Sequence, residues 1–546
     1  MMNVPDGWTK TSLGELASSN AVFCDGDWVE SKDQDPEGDV RLIQLADIGD
    51  GLYKSKSRRF LTSVKASELR CTFLKPGDLL IARMPDPLGR TCIFPGDPKS
   101  SVTVVDVCIV RLSDDIDHRW LMHAMNSPAM RNQIASLQSG STRKRISRKN
   151  LATVQLLVPP LVEQYAIVAK IESMISELDR GAEQLEAVRT QLGRYRQSVL
   201  KAAFEGRLTA AWREERRRQA EKAGGALPTA GDLLERIRAE RDSAYTQRLR
   251  EWEQATKAWE AAGGKASGEK KPRKPVEPTD VDPLSHETLS SLPVLPTGWA
   301  WCGLESIVEG GRTCAYGVLK PGTNPKNGVP LIRVGDLVNG TVNQDELRHI
   351  EPNLSAEFAR TVLEGGEFLI SLVGAIGRTA IVPDDLAGAN TARAVGVVPL
   401  TTTVVPKYVE YFFRRSSKIA EMTSLAHEVA RKTLNLEDVR RATIAIAPPD
   451  EQAEIVNEID SRLSVVDQIE RTIDTALKQA QSLRQSILKR AFEGRLLTET
   501  ELEAVRADPA YEPAEKLLAR IRAERSTAET KPKKKVRRKR TPQETA

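Results

Sequence analysis

The 546-residue sequence predicts an α+β protein: a tandem duplication of a mixed α/β domain followed by a long helix, the two helices pairing as an antiparallel coiled coil. Three observations carry this reading. Gln197-Ser-Val-Leu-Lys-Ala-Ala-Phe-Glu-Gly-Arg-Leu208 returns as Gln485-Ser-Ile-Leu-Lys-Arg-Ala-Phe-Glu-Gly-Arg-Leu496, at an offset of 485 − 197 = 288 positions. Self-similarity at a fixed period decides architecture before any other signal does. Short apolar runs cut by glycine and proline precede each copy, which is the pattern of strands and turns. Between those runs and each repeat, apolar residues recur at alternating steps of three and four, the seam of a coiled coil.

Both globular regions open on a Gly-Trp pair, Val4-Pro-Asp-Gly-Trp8 and Leu295-Pro-Thr-Gly-Trp299, read as a turn into a short strand with the tryptophan packed. Framework strands follow in matched pieces. Arg41–Ile48 aligns with Pro330–Leu337, Leu74–Ile81 with Leu363–Ile370, and Gly89–Pro95 with Gly377–Pro383. Between them the copies part company: Ser18–Asp39 has little in common with Glu309–Gly328, and Gly51–Arg70 little with Gly340–Arg360. A shared scaffold carrying unlike loops suits two binding surfaces for different ligands. Drift after duplication gives the same pattern.

Each region closes through a helical patch (Trp120–Ser136; Tyr408–Ser424), a basic loop (Gly140–Lys149; His427–Lys432), an apolar strand and a Pro-Pro pair. Arg143-Lys144 and Arg431-Lys432 occupy equivalent places, and recurrence at one framework position raises a basic pair above an ordinary solvated face as a phosphate contact. Proline suits a first helical turn. The first helix then carries its seam on Ile171, Met174, Leu178, Gly181, Leu185, Val188, Leu192, Tyr195 and Val199. The second carries it on Ile459, Arg462, Val466, Ile469, Ile473, Ala476, Ala480, Leu483 and Ile487. Helices that pack separately on their own domains are the alternative.

The resulting division is 1–158 and 295–447 for the globular domains, 159–208 and 448–497 for the long helices. Residues 209–294 read as a polar helical segment, through Trp252 and Trp259, and a disordered basic linker; 498–546 read as a polar helix and a disordered basic tail. Leu233-Leu-Glu-Arg-Ile-Arg-Ala-Glu-Arg241 in the first segment repeats as Leu517-Leu-Ala-Arg-Ile-Arg-Ala-Glu-Arg525 in the second.

Composition excludes several classes. The six cysteines form no Cys-x-x-Cys pair, against a zinc module or a disulfide framework and for a reducing, cytoplasmic setting. No apolar run nears the ~20 residues that span a bilayer. The net charge of +5 is weak evidence for nucleic acid, because eight cations in Lys531–Arg540 leave 5 − 8 = −3 elsewhere. A DNA argument must therefore be local. No phosphate loop of the Gly-x-x-x-x-Gly-Lys-Ser/Thr kind is present, nor an S-adenosylmethionine loop or an Asn/Asp-Pro-Pro-aromatic tetrapeptide. The five histidines show no paired spacing, so no catalytic or metal-ligating residues are assigned.

The entry motif Pro-x-Gly-Trp, the closing Pro159-Pro-Leu-Val-Glu-Gln164 and Pro448-Pro-Asp-Glu-Gln452, and the helix ends Ala203-Phe-Glu-Gly-Arg-Leu208 and Ala491-Phe-Glu-Gly-Arg-Leu496 resemble one family. Over residues 4–500 the chain is similar to specificity subunits of type I restriction–modification systems. The resemblance implies two target-recognition domains, each reading half of a bipartite double-stranded DNA sequence. It implies paired helices that space them and dock two methyltransferase subunits, with a restriction/translocase subunit joining. It implies no cofactor on this chain, S-adenosylmethionine, ATP and magnesium belonging to the partners, and no membrane. On this reading Arg143, Lys144, Arg145, Lys149, Arg431 and Lys432 touch phosphate. Arg90 and Arg378, on tight turns between strands, project into solvent or a groove, a structural salt bridge being the alternative, and divergent loops such as Lys54–Arg59 and Lys320–Lys326 hold base readers. Unlike loops predict unlike half-sites. A seam of about 42 Å matches one turn of B-DNA, about 34–36 Å. The reading from a different class is a non-enzymatic coiled-coil scaffold joining two protein-binding domains.

Overall fold

The computed structural model describes residues 4–16, 22–85, 87–140, 144–264, 270–275, 277, 284–428 and 432–529. The chain divides into two compact units, residues 1–186 with 473–546, and residues 187–472.

In the first unit, Thr9–Ser12 pairs antiparallel with Gln155–Val158, so the domain's first and last strands lie side by side and deliver the chain to the helix that follows. A four-stranded antiparallel sheet runs in the order Phe23–Asp25, Val107–Val110, Leu79–Ala82, Thr91–Ile93. A three-stranded sheet places Val40–Ile43 between Phe60–Leu61 and Ser100–Thr103, antiparallel to the former and parallel to the latter. Successive residues of a strand face opposite sides. Leu79 and Ile81 accordingly enter a core with Trp120, Leu121 and Met125, while Leu80 and Ala82 enter another with Ile43 and Phe94. Burial on both faces explains why this strand is an unbroken apolar run.

The second unit repeats the plan. Ala300–Gly303 pairs with Thr443–Ile446. Its four-stranded sheet runs Ala315–Tyr316, Val395–Val398, Phe368–Ser371, Thr379–Ile381, and a three-stranded sheet centres on Val329–Ile332. Phe368 and Ile370 face one core, Leu369 the other. Two pairings have no strand counterpart among the described residues of the first unit: His427–Glu428 with Lys432–Thr433, and the hairpin Leu337–Val338/Thr341–Val342, turning at Asn339-Gly340 with φ of 52° and 84°. Asn-Gly is the preferred pair for such a turn because both residues tolerate positive φ.

Two 44-residue helices, Leu161–Phe204 and Pro449–Phe492, contribute to both units. Within the first unit Asp179 of one pairs with Arg484 of the other. Within the second, Arg196 pairs with Asp467 and, at 2.8 Å, with Glu470. Between the Asp179–Arg484 and Arg196–Asp467 pairs the first number rises as far as the second falls, which is an antiparallel register. The predicted seam holds at Ile171, Val199, Ile459, Val466, Ile473 and Ile487, all buried, and at Met174, Leu178, Leu185 and Leu192, half-buried. It is corrected at Val188, Ile469 and Leu483, which are exposed. The neighbouring residues Arg189, Glu470 and Arg484 are partly buried in their place, and Leu463, buried, replaces Arg462. Three-then-four and four-then-three spacings share every second position. Arginine stems cover the seam where the sequence shows only a charge.

The helix ends pack as the repeat requires. In the second unit Phe204 lies edge-on to Tyr408 and Phe412, both at 5.1 Å, with the Arg415 guanidinium over the same ring. In the first, Phe492 meets Trp120 at 6.2 Å. The end of each helix therefore seats on the domain from which the other helix departs. Gly206 and Gly494 adopt φ of 67° and 70°, and the N–H groups of Arg207 and Arg495 donate to the carbonyls of Ala202 and Arg490. This is the left-handed glycine stop of a helix. The arginine side chains pair with Glu205 and Glu493 and leave the capping to the backbone.

The repeated Leu-Leu-x-Arg-Ile segments are also packed. Leu233 and Ile237, on the helix Ala230–Ala261, join the second unit's core with Leu304 and Ile307. Leu517, Leu518 and Ile521, on Ala514–Glu529, join the first unit's core with Leu13 and Leu16. The Ala230 N–H bonds Gly298 O at 2.8 Å, and the Ala514 N–H bonds Gly7 O at 3.0 Å. Of the lysine-rich stretch, Lys271 and Lys274 lie over Trp259 and Trp252, and Trp252 Nε1 donates to Pro272 O. The tail Lys531–Arg540 lies outside the described residues.

Candidate nucleic-acid interface

The two motifs that bracket each domain complete one another. Trp8 Nε1 donates to Glu163 Oε1 and Trp299 Nε1 to Glu451 Oε2, both at 2.8 Å. Gln164 accepts from the Asp117 N–H and donates to Pro159 O. Gln452 accepts from the Val405 N–H and donates to Ala447 O. These residues fix the angle at which helix leaves domain, and they are structural. Glu451 is further held by Thr209 Oγ1 at 2.7 Å and Arg213 Nε at 2.9 Å. Glu163 has the tryptophan alone of these partners, and burial pushes its carboxyl pKa up.

The binding candidates gather where the central strand leaves the four-stranded sheet. In the first domain the Ile146 N–H bonds Arg83 O at 3.1 Å, and Arg83 Nε returns a bond to Ile146 O. In the second the Leu434 N–H bonds Leu372 O at 2.8 Å, and Val373 bridges Thr433. The turn of the framework thus docks the basic loop in both copies, and recurrence at 288 positions marks one place in three dimensions. Lys144, Arg145, Lys149 and Lys432 are exposed there or on the adjoining residues. Arg143 and Arg431 lie outside the described residues. Of the divergent loops, Lys54, Lys56, Lys320 and Lys326 are exposed, while Arg59 donates to Gln34 and Arg58 to the carbonyls of Ser55 and Ser57.

The two turn arginines separate. Arg90 is 8% exposed and donates to the carbonyls of Ile48 (2.7 Å), Leu45 (2.9 Å) and Pro87 (3.3 Å). Its expected projection into solvent or a groove is corrected: it ties its own turn to the Leu45–Ile48 segment. Arg378, its equivalent, is exposed beside a shallow depression of about 390 Å³ lined by Asn339, Gly340, Gly377, Thr379 and Arg414. There the Asn339-Gly340 turn is held by Arg414 Nη1 donating to Asn339 O and by the Ile381 N–H donating to Gly340 O. Sequence reading passed over Arg393, exposed on the turn between Thr391 and Val395. Ala394 O accepts the Leu372 N–H, so this turn stands at the same end of the sheet. Val105 occupies the equivalent position in the first domain, and that contrast was the available signal.

Among the described residues no three His, Cys, Asp or Glu side chains gather as metal ligands, and no helix is long and apolar enough to cross a membrane.

Two domains of one frame each place exposed cations at the same end of the sheet. No family model matches the chain. It is 26% identical over 530 residues to the Escherichia coli type I restriction enzyme EcoBI specificity subunit, covering 97% of this chain and 94% of that one. To the EcoKI specificity subunit of Escherichia coli strain K12 it is 24% identical over 424 residues, 75% and 72% of the two chains. A solved chain from a study of complex assembly and conformational transition of the type I R-M system superposes with a TM-score of 0.57 at 15% identity. It covers 90% of this chain and 100% of that one, and shows the shared fold. Over nearly its whole length the chain is thus similar to specificity subunits of type I restriction enzymes.

Proposed function

We propose that each domain reads one half of an asymmetric, bipartite DNA target, and that the helices set the gap between halves and dock two methyltransferase subunits. The restriction/translocase subunit joins that assembly. S-adenosylmethionine, ATP and magnesium reside on the partners. The observation that carries this reading is the pair of homologous sheet ends with unlike surfaces: Arg378 and Arg393 exposed in one, Arg90 buried and Val105 in the other. Cations of the basic loops, shared by both domains, would contact the backbone and orient the duplex, and residues exposed in one domain only would choose bases.

The test is to express the chain with its methyltransferase subunits and sequence the methylated adenines. The expected motif has two unlike halves at a fixed separation. A palindromic motif, or methylation without sequence preference, sinks the proposal. Each helix is about 66 Å long at 1.5 Å per residue. Deleting seven residues in phase from both helices should shorten the gap and leave both halves unaltered; an unchanged gap removes the helices' part in spacing.

A further inference from the structure

We propose that Arg378 and Arg393 are the base-reading pair of the second domain, each guanidinium taking the major-groove edge of a guanine. The inference rests on the DNA-recognition reading above and goes past it to name residues and bases.

Three features separate these two arginines from the other cations at this end of the sheet. First, the backbone beneath them is fixed. The Ser371 N–H donates to Arg378 O and the Arg378 N–H donates to Ser371 Oγ, both at 2.8 Å, while Ser371 Oγ donates in turn to Ala375 O at 2.5 Å. Gly377, at φ of 83°, packs on Ile419 so closely that a Cβ would press its side chain. On the other side of the same strand the Arg393 N–H donates to Val318 O and the Ala394 carbonyl is held by Leu372. A reader must be held within about 0.5 Å of its working geometry, and rigid turns do that where a long loop cannot.

Second, neither guanidinium has a partner among the described residues, whereas their neighbours are occupied. Arg414 donates to Asn339 O and stands 3.9 Å from buried Glu410, and Arg333 is forked onto Asp336. In the first domain Arg90 is bonded to three carbonyls and Arg83 to Asp25, Ile146 O and Val105 O. Two unengaged forks on turns of fixed backbone are available donors.

Third, their spacing suits two base pairs within one half-site. Arg378 lies across one edge of Phe368–Ser371 and Arg393 beyond the other, where that strand pairs with Val395–Val398. Two strand spacings of about 4.8 Å separate the backbones by about 10 Å, roughly three base steps of 3.4 Å. Arginine side chains close part of that distance. The fork of an arginine matches guanine O6 and N7 bidentately, and lysine cannot reproduce it.

The experiment uses the full chain in complex with its methyltransferase subunits, with methylated adenines sequenced for R378A, R378K and R393A. Each alanine variant should relax one guanine of the wild-type motif, with discrimination there falling about 5- to 150-fold. Both positions should fall in the same half, the other half and the gap should be untouched, and R378K should fail to restore the guanine. Uniformly slower methylation at an unchanged motif, restored by lysine and with a shallower salt dependence, overturns the proposal in favour of phosphate contacts. An unchanged motif and rate overturns it outright. If the wild-type complex gives no two-part motif, the DNA-recognition reading itself has failed; a two-part motif indifferent to both arginines fails this inference alone.

Discussion

The first and second domains are built on one frame and spend the same residues differently. At equivalent places Gly89-Arg90-Thr91 and Gly377-Arg378-Thr379 are identical in sequence, yet Arg90 is buried among carbonyls and Arg378 is exposed. The difference comes from the loops that approach the turn. Leu45, Ile48 and Pro87 present carbonyls to Arg90. In the second domain the Asn339-Gly340 hairpin takes Arg414 as its donor and leaves Arg378 outside. Thr91 is held through its backbone by Asn126, Thr379 through its hydroxyl by Glu410 at 2.8 Å. A duplicated frame thus conserves where a side chain starts, while divergent loops decide whether it stabilises the domain or faces a ligand.

The largest single loss should appear at the helix ends. Phe204 is 3% exposed and enclosed by two rings and a guanidinium; Phe492 is half-buried against Trp120. Phe204→Ala should cost its unit about 3–5 kcal/mol and Phe492→Ala about 2–3 kcal/mol. Hydrogen exchange read separately over each unit measures both. Equal losses would show that ring contacts do not rank the two ends. Next comes Arg90→Ala, which removes the donor to the buried Ile48 carbonyl and to the part-buried Leu45 and Pro87 carbonyls and should lower first-domain stability by about 2–4 kcal/mol. Arg378→Ala should stay within about 0.5 kcal/mol. Comparable destabilisation by the two would break the contrast between them.

A smaller effect separates the two motif glutamates by sign. Glu451 neutralises Arg213 in addition to accepting from Trp299, so Glu451→Gln should cost about 1–3 kcal/mol. Glu163 has a raised carboxyl pKa because burial disfavours its charge. Its contribution to stability is greatest at low pH and lost as pH rises through the folded value. Glu163→Gln keeps an acceptor for Trp8 without the charge and should leave the first unit unchanged or slightly more stable at neutral pH. Thermal denaturation of the two variants at pH 7.5 decides this, and a loss in Glu163→Gln matching that of Glu451→Gln would refute it.

Much of the frame was legible in the sequence because it is written twice: paired entry strands, glycine stops and long helices all follow from matched pieces. The partition of Trp8 and Trp299 as packing residues was legible too, but not their bonds to Glu163 and Glu451, which join residues over 150 positions apart. Where predicted seam residues Val188, Ile469 and Leu483 are exposed, their neighbours Arg189, Glu470 and Arg484 are partly buried, and a pattern count scores those as polar. The packing of Leu233, Ile237, Leu517 and Ile521 was hidden in highly charged helices with narrow apolar stripes, although repetition itself marked them. Arg90 and Arg378 could not be told apart by any local rule, since two of the carbonyls that hold Arg90, those of Leu45 and Ile48, lie in a segment matched in both domains.

The same frame also predicts opposite responses to acid at one further pair of places. His123 and Tyr411 are equivalent, three residues beyond Trp120 and Tyr408. Burial pulls His123 down from 6.5 to about 4, with Arg119 and Arg484 also disfavouring its charge and Asp117 favouring it; its Nε2 is buried without a partner. The histidine is neutral in the folded unit. Its contribution is therefore fully present above the unfolded value of 6.5 and declines as pH falls toward 4, by up to ~1.4 kcal/mol per pH unit. Tyr411 donates to Asp460 and its phenol is raised, so it does not titrate in that window. Beside it, burial raises the Glu410 carboxyl, a shift that favours the folded second unit as pH falls. Acidification from pH 6.5 to 4 should thus weaken the first unit ahead of the second, and His123→Phe should remove part of that difference. Exchange protection measured across this range tests it: a first unit whose acid sensitivity is the same with histidine or phenylalanine would show that the buried imidazole is not its source.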